Sequence, residues 1–294
     1  MTKEEIIEVL RWEPQKLRSA HETIRSDSEI VRAVVEWEPW AIMYADDGLR
    51  DDEEMGLFVV QKMPGTIQYL SEHLQNKPSI IQACLTGPEG YGFLQWVPAA
   101  YTEDYEYVLA VMKKVGRDLE WVSEDLKHDK TIVAAAVEND PTRAIGFVPE
   151  VLKSDEEFME ELFDRVPEIF PHLSLSSRSD RERVLCALRC NGSFYEVVPS
   201  VLKTDHEVIQ LALDCDPFAI QWVPERELVE GEYWKRTIPE WPGTFFELPK
   251  ALQERLDIAK LLVETSYEYY YHLPDELASK LNLPDELASK LGLI

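Results

Sequence analysis

The chain repeats itself every 25 residues, and that period limits what it can fold into more than any other feature. Lined up from Thr2, successive blocks begin at Thr2, Asp27, Asp52, Lys77, Asp104, Asp129, Asp155, Asp180, Asp205, Glu230 and Arg255. Insertions of two residues around Gly90–Gly92 and of one near Ala144 interrupt the count, and after Ser279 a 15-residue tail remains. A unit this short cannot bury an apolar face by itself. Stacked against its neighbours it shares one continuous core with them.

Three positions hold the register. Asp opens seven of the eleven blocks, the place for an N-cap that accepts the free amides of a first helical turn. The thirteenth position is Pro or Gly in nine blocks: Pro14, Pro39, Pro64, Gly116, Pro141, Pro167, Gly192, Pro217 and Pro242. In Asp140-Pro141 and Asp216-Pro217 the pair reads as cap plus first residue of a second helix. Pro returns at the twentieth position as Pro98, Pro149, Pro199, Pro224, Pro249 and Pro274, where it ends that helix or opens a short third turn.

Between these stops the apolar residues keep helical spacing. The ninth position is apolar throughout, from Leu10 and Val35 to Leu213 and Val263, and so is the nineteenth, from Ala20 and Ala45 to Leu248 and Leu273. The expected fold is all-α: an α-solenoid of about eleven 25-residue helical-hairpin repeats, one domain over residues 2–279. The tail, 280–294, repeats Leu-Pro-Asp-Glu-Leu-Ala-Ser-Lys-Leu (Leu273–Leu281, then Leu283–Leu291). Its second copy is expected to form a short C-terminal capping helix over the last repeat. Tyr267, Tyr269, Tyr270 and Tyr271 just before it would seal that end or dock a partner.

Blocks such as Asp205-His-Glu-Val-Ile-Gln-Leu-Ala-Leu-Asp-Cys-Asp-Pro-Phe-Ala-Ile-Gln-Trp-Val-Pro resemble the tandem repeat family called domain of unknown function 4116. The likeness extends to Asp27–Asp51 and Leu126–Asp155, while Glu230–Glu254 and Arg255–Ser279 depart from it. The resemblance implies a helical repeat array and transfers no catalytic residue and no activity.

The residues themselves argue against an enzyme. The six histidines fall in different blocks, and no Gly-x-Ser-x-Gly or His-Glu-x-x-His occurs. Cys186 and Cys190 are four apart with Cys215 following, but no His stands at ligand spacing. Cys190 and Cys215 share the eleventh position of adjacent blocks, while Cys84 and Cys186 fall on or beside the buried stripe. No metal and no cofactor is expected. Gly87-Pro-Glu-Gly-Tyr-Gly92 follows no strand and lacks a Lys-Ser/Thr, so it reads as a lengthened turn. Asp46-Asp47-Gly48 and Asp51-Asp52-Glu53-Glu54 read as caps with a solvated acidic edge, since calcium needs alternating oxygens and a bidentate Glu.

Charge narrows the partners. With 56 acids against 30 Lys+Arg the formal net charge is -26, which repels nucleic acid and anionic lipid and attracts basic protein surfaces. No apolar run approaches the roughly 18 residues of a bilayer span, and the acidic opening, Met1–Ile7, has no signal-peptide layout. Four cysteines are too few for a disulfide scaffold, so a reducing cytoplasm, of its own cell or of a host cell, is expected.

The candidate binding residues lie in the thirteenth-position turns. Glu36 and Glu38, Glu138 and Asp140, and Asp214 and Asp216 recur there, with Glu13, Asp164 and Glu240 in related places. Trp12, Trp37, Trp40 and Trp241 share those turns. Aromatic anchors within a charged rim suit a protein-binding surface. The same residues equally suit a solvated rim with tryptophans packed between neighbouring turns, and sequence does not choose between the two. The expected function is non-enzymatic: scaffolding or blocking a partner protein with a basic surface. The alternative is a nucleic-acid mimic that fills the basic groove of a DNA- or RNA-handling protein, as a viral or pathogen interference factor would.

Overall fold

The computed structural model describes residues 2–88, 90, 92–281, 283 and 285–291, and among them every regular element is helical and no strand occurs. The elements gather into two compact units, Met1–Phe158 and Met159–Ile294. The insertion residues Glu89 and Tyr91, and Asn282, Pro284 and 292–294 of the tail, lie outside the described residues.

Each block opens with an α-helix. In the first unit these are Lys3–Trp12, Ser28–Trp37, Glu53–Lys62, Pro78–Cys84, Tyr105–Met112 and Lys130–Asn139. Glu156–Arg165 follows, and the second unit continues with Arg181–Cys190, His206–Cys215, Trp234–Glu240 and Leu256–Thr265. The block-opening acids cap them as their chemistry predicts. Asp27 accepts the Glu29 and Ile30 amides at 3.0 and 3.1 Å, and Asp129 and Asp205 repeat that geometry. Thr2 and Glu5 form a reciprocal capping box.

The expected second arm of the hairpin needs correction. It is mostly a six-residue 3-10 helix, as in Pro14–Ser19, Pro39–Tyr44, Gly192–Val197 and Pro217–Trp222. Among the described residues only the arm at Pro141–Ala144 is α-helical, before a 3-10 turn at Ile145–Phe147. The two helix types differ in reach. Six residues at about 2.0 Å each span roughly 12 Å as a 3-10 helix. The α form would span roughly 9 Å, short of the roughly 15 Å length of a ten-residue α-helix. The twentieth-position prolines then open four-residue helices, as at Ala99–Thr102, Glu150–Lys153 and Lys250–Gln253. At Glu230 the pattern breaks: the chain turns through Glu232 at φ 48°, so the next helix starts at Trp234 without an acidic cap.

The ninth-position residues are buried, Val35, Val60, Val137, Leu188, Leu213 and Val263 among them. Leu85 is half-buried because its helix stops one residue earlier, at Cys84. Gly at the thirteenth position answers a close approach. A Cβ on Gly116 would stand 2.0 Å from the Ala136 carbonyl oxygen, and one on Gly192 2.5 Å from that of Ala212.

Side chains at the twenty-fourth position satisfy the 3-10 carbonyls. Gln75 donates to Gln68 and Leu70, Lys203 to Glu196, and Gln253 to Phe246 and Leu248. Arg50 and Arg178 reach instead to the next block, at the carbonyls of Tyr69 and Val197. Ion pairs join the starts of adjacent first helices, Lys3 with Asp27 and Glu29, Lys130 with Asp155, and Arg181 with Asp205 and Glu207. Exposed pairs of this kind contribute under about 1 kcal/mol each, so their effect is on register more than on stability.

Main-chain bonds also cross the junctions of the first unit. The N–H groups of Asp46, Ser71 and Ser123, at the twentieth position, donate at 2.9–3.1 Å to the carbonyls of Arg25, Arg50 and Thr102. In the tail, helix Asp285–Lys290 brings the Leu291 carbonyl to the Tyr271 hydroxyl at 3.0 Å, and Leu291 itself is buried.

Candidate functional site

The first unit assembles part of the predicted aromatic-acidic surface. Trp12 and Trp37 close the helices of adjacent blocks and remain 76% and 42% exposed. Arg11 joins them: its guanidinium carbon lies 4.7 Å from the centre of the Trp37 ring and 6.0 Å from that of Trp12. The Trp12 indole N–H donates to Glu8 at 3.1 Å, and that of Trp40 to Glu38 at 2.6 Å. Trp40 is half-buried, edge-on to Tyr44. Glu36 is exposed and accepts from Lys62 at 3.3 Å. Glu8 and Glu38 thus hold Trp12 and Trp40 and Arg11 covers the Trp37 ring, with Trp12 the most exposed of the three.

The other predicted positions lie elsewhere. Asp140 caps the Arg143 amide at 3.2 Å. In the second unit Asp216 caps Phe218 at 3.0 Å, while Asp214 takes Gln210 and pairs closely with Arg236. Glu240 and Trp241 are exposed at the end of helix Trp234–Glu240, Trp241 by 52%. Asp46, Asp51 and Asp52 are occupied by Gly48, by Ser71 and His73, and by Met55. Among the described residues no three His, Cys, Asp or Glu side chains are placed to hold a metal ion. Cys84 is buried, which pushes its thiol up to about 12. Cys186, expected beside the buried stripe, is exposed instead, because its helix buries Val184, Leu185, Ala187 and Leu188.

Sequence reasoning passed over a cavity of about 530 Å³ in the first unit, lined by Gly92, Gln95, Arg117, Asp118, Glu120, Trp121, Arg143 and Phe147. Its floor is Asp118, 4% exposed. One Asp118 oxygen accepts the amides of Phe93 and Leu94 at 2.7 and 3.0 Å, capping from the following block a 3-10 turn, Leu94–Trp96, that has no cap of its own. Burial pushes the Asp118 carboxyl above the usual carboxylate range, and the two amides hold it back in part. A Cβ on Gly92 would stand 2.3 Å from the other Asp118 oxygen and 3.4 Å from Arg117 Nε, so the room here depends on glycine. The fifteenth position carried the signal: where this block has Asp118, others bury Ala41, Thr66, Ile169, Ala219 and Thr244.

The described residues make an all-helical protein of short, repeatedly capped elements, with Trp12 and Trp40 bonded to carboxylates and Trp37 against Arg11. Residues 104–150 and 180–228 match the family described as "Domain of unknown function (DUF4116)". The block at Asp27–Asp51 lies outside these stretches. No curated protein and no solved structure matches the chain.

Proposed function

We propose that the chain is a non-enzymatic binding protein, an acidic α-solenoid of about eleven 25-residue repeats with the Asp285–Lys290 helix as its C-terminal cap. It scaffolds or blocks a partner protein with a basic surface, in the cytoplasm of its own cell or of a host. The turns holding Trp12, Trp37 and Trp40 supply the anchors, with Glu36 and Glu38 as rim. Asp140, Asp214, Asp216, Glu240 and Trp241 extend the same surface type along the array.

One observation carries this reading. Trp12 and Trp37 remain exposed while Arg11 contacts both rings and Glu8 accepts from the Trp12 indole. Rigid, solvent-facing aromatics lose little freedom on docking and are the residues that dominate interface energies. Among the described residues no helix is long and apolar enough to cross a membrane.

The test starts from partners recovered from the native cell with the full chain, then purified. Trp12→Ala and Trp37→Ala should each weaken binding by on the order of 2 kcal/mol, mainly through faster dissociation and with mild salt dependence. Strong competition by DNA or heparin, with both variants binding normally, would instead favour the nucleic-acid mimic.

A further inference from the structure

We propose that the cavity above Asp118 is a binding site for a small aromatic anion, its carboxylate or phosphate held by Arg117 and Arg143 and its ring lying on Trp121 and Phe147. The site is separate from the tryptophan turns and stands whether or not they bind a partner.

Two arginines beside this cavity keep their donors unspent. In a chain with 56 acids and 30 Lys+Arg, arginines find carboxylates easily. Arg181, Arg183 and Arg236 each sit on one. Among the described residues Arg117 makes no ion pair, and the nearest carboxylate oxygen to Arg143 is that of Asp140 at 3.9 Å, beyond hydrogen-bond distance. Neither guanidinium donates a hydrogen bond to another side chain there. The cavity's own buried acid does not serve them, since one Asp118 oxygen is taken by the amides of Phe93 and Leu94. Two guanidinium groups, five N–H donors apiece, thus line one cavity with their donors available, and the planar fork matches carboxylate and phosphate oxygens.

Shape and apolar lining complete the match. About 530 Å³ is the size of a small-molecule site. Trp121, 43% exposed, and half-buried Phe147 offer ring faces, and Gln95 an amide. Glu120 on the rim disfavours a ligand that is anionic throughout and suits one carrying hydroxyl or amino groups away from its charge. Gly92 is part of the site because any side chain there would displace Asp118 and crowd Arg117.

The experiment uses the full chain, with calorimetric titration and amide shifts in nuclear magnetic resonance. The probes are adenosine 5′-monophosphate, adenosine, 1-naphthoate, naphthalene methanol and inorganic phosphate. Binding of the monophosphate at least tenfold tighter than adenosine, or of naphthoate at least tenfold tighter than the alcohol, with shifts at Gly92, Trp121 and Phe147, supports the site. Which anion wins identifies phosphate ester or carboxylate as the source. Arg117→Gln and Arg143→Gln should each weaken the winning probe at least tenfold. Should either variant lose its helical circular dichroism, Arg143→Lys and competition by inorganic phosphate on the unaltered chain take its place. No binding of either aromatic anion at millimolar concentration, or binding indifferent to the arginine changes, overturns the proposal.

Discussion

Asp118→Ala removes a single carboxylate that two buried amides share across a block boundary. The Phe93 and Leu94 N–H groups, now 2.7 and 3.0 Å from its oxygen, would have no acceptor, and both residues are almost wholly buried. An unsatisfied buried donor costs about 1–3 kcal/mol. Relief from burying the carboxylate offsets some of that, so we expect about 2 kcal/mol to fall on the 3-10 turn Leu94–Trp96 itself. Hydrogen exchange at those two amides reads this locally, and protection should drop on the order of thirtyfold. Asp118→Asn keeps an acceptor of the same shape and should hold most of the protection. The pH dependence has a definite sign. Burial raises the folded-state carboxyl above its unfolded value. The native state therefore holds the proton more tightly, and stability falls as pH rises through the carboxylate range. Asn does not titrate, so the advantage of the natural chain over Asp118→Asn should be largest in acid and shrink on the way to neutrality. Unchanged protection in Asp118→Ala, or a gap that widens with pH, would refute the capping account.

Leu213→Asp places a charge in the buried stripe and should lower the melting temperature far more than Glu36→Lys at an exposed turn; similar melting points would mean the faces are misassigned. Gly192→Ala drives a methyl to within 2.5 Å of the Ala212 carbonyl and should cost about 1–3 kcal/mol by urea titration, where a neutral result would show that the neighbouring helix yields freely. Asp205 is held below its usual range chiefly by Arg181, so its stabilising contribution exists above the unfolded value and disappears as pH falls through the folded one. Arg181→Gln should accordingly flatten part of the acid limb of a stability–pH curve, an effect that added salt should shrink. A thiol reagent should modify Cys186, Cys190 and Cys215 in the native chain and reach Cys84 only on unfolding.

Much of this architecture was legible because caps and apolar spacing are local properties. Asp27, Asp129 and Asp205 mark helix starts through one carboxylate and the nearest amides, and ninth-position residues such as Leu213 mark the core through periodicity alone. The 3-10 arms were not legible, since a Pro-led apolar hexamer such as Pro217–Trp222 has the same pattern in either helix type. The choice between them rests on tertiary context, which local spacing does not carry. The long polar residues at the twenty-fourth position, Arg50, Gln75, Lys203 and Gln253 among them, were visible as a column and had no assigned role until their carbonyl partners were located. Of the candidate surface, Trp12 and Trp37 do share Arg11, whereas Asp214 pairs with Arg236 and Asp140 caps a backbone amide. Asp118 was hidden for a different reason: an acid beside Arg117 and Glu120 reads as surface until its neighbours bury it.

The main-chain bonds from Asp46, Ser71 and Ser123 set a mechanical grain in the chain. Proline at the twentieth position has no N–H to give, so the junctions at Pro199, Pro224 and Pro249 rely on side chains such as Arg178 and on packing. Pulled from its ends, the chain would resist unevenly, with stiff joints at the three amide-tied blocks and compliant ones at the prolines. Single-molecule extension would record this as low-force release at the proline junctions, Pro98 and Pro149 included, and replacing Pro199 with Ser should move one such event to higher force. Uniform release along the chain would mean the amide ties carry no load. On this account, whether a residue with an N–H or a proline stands at one recurring position sets which junctions can be tied through the main chain and which must yield first under load.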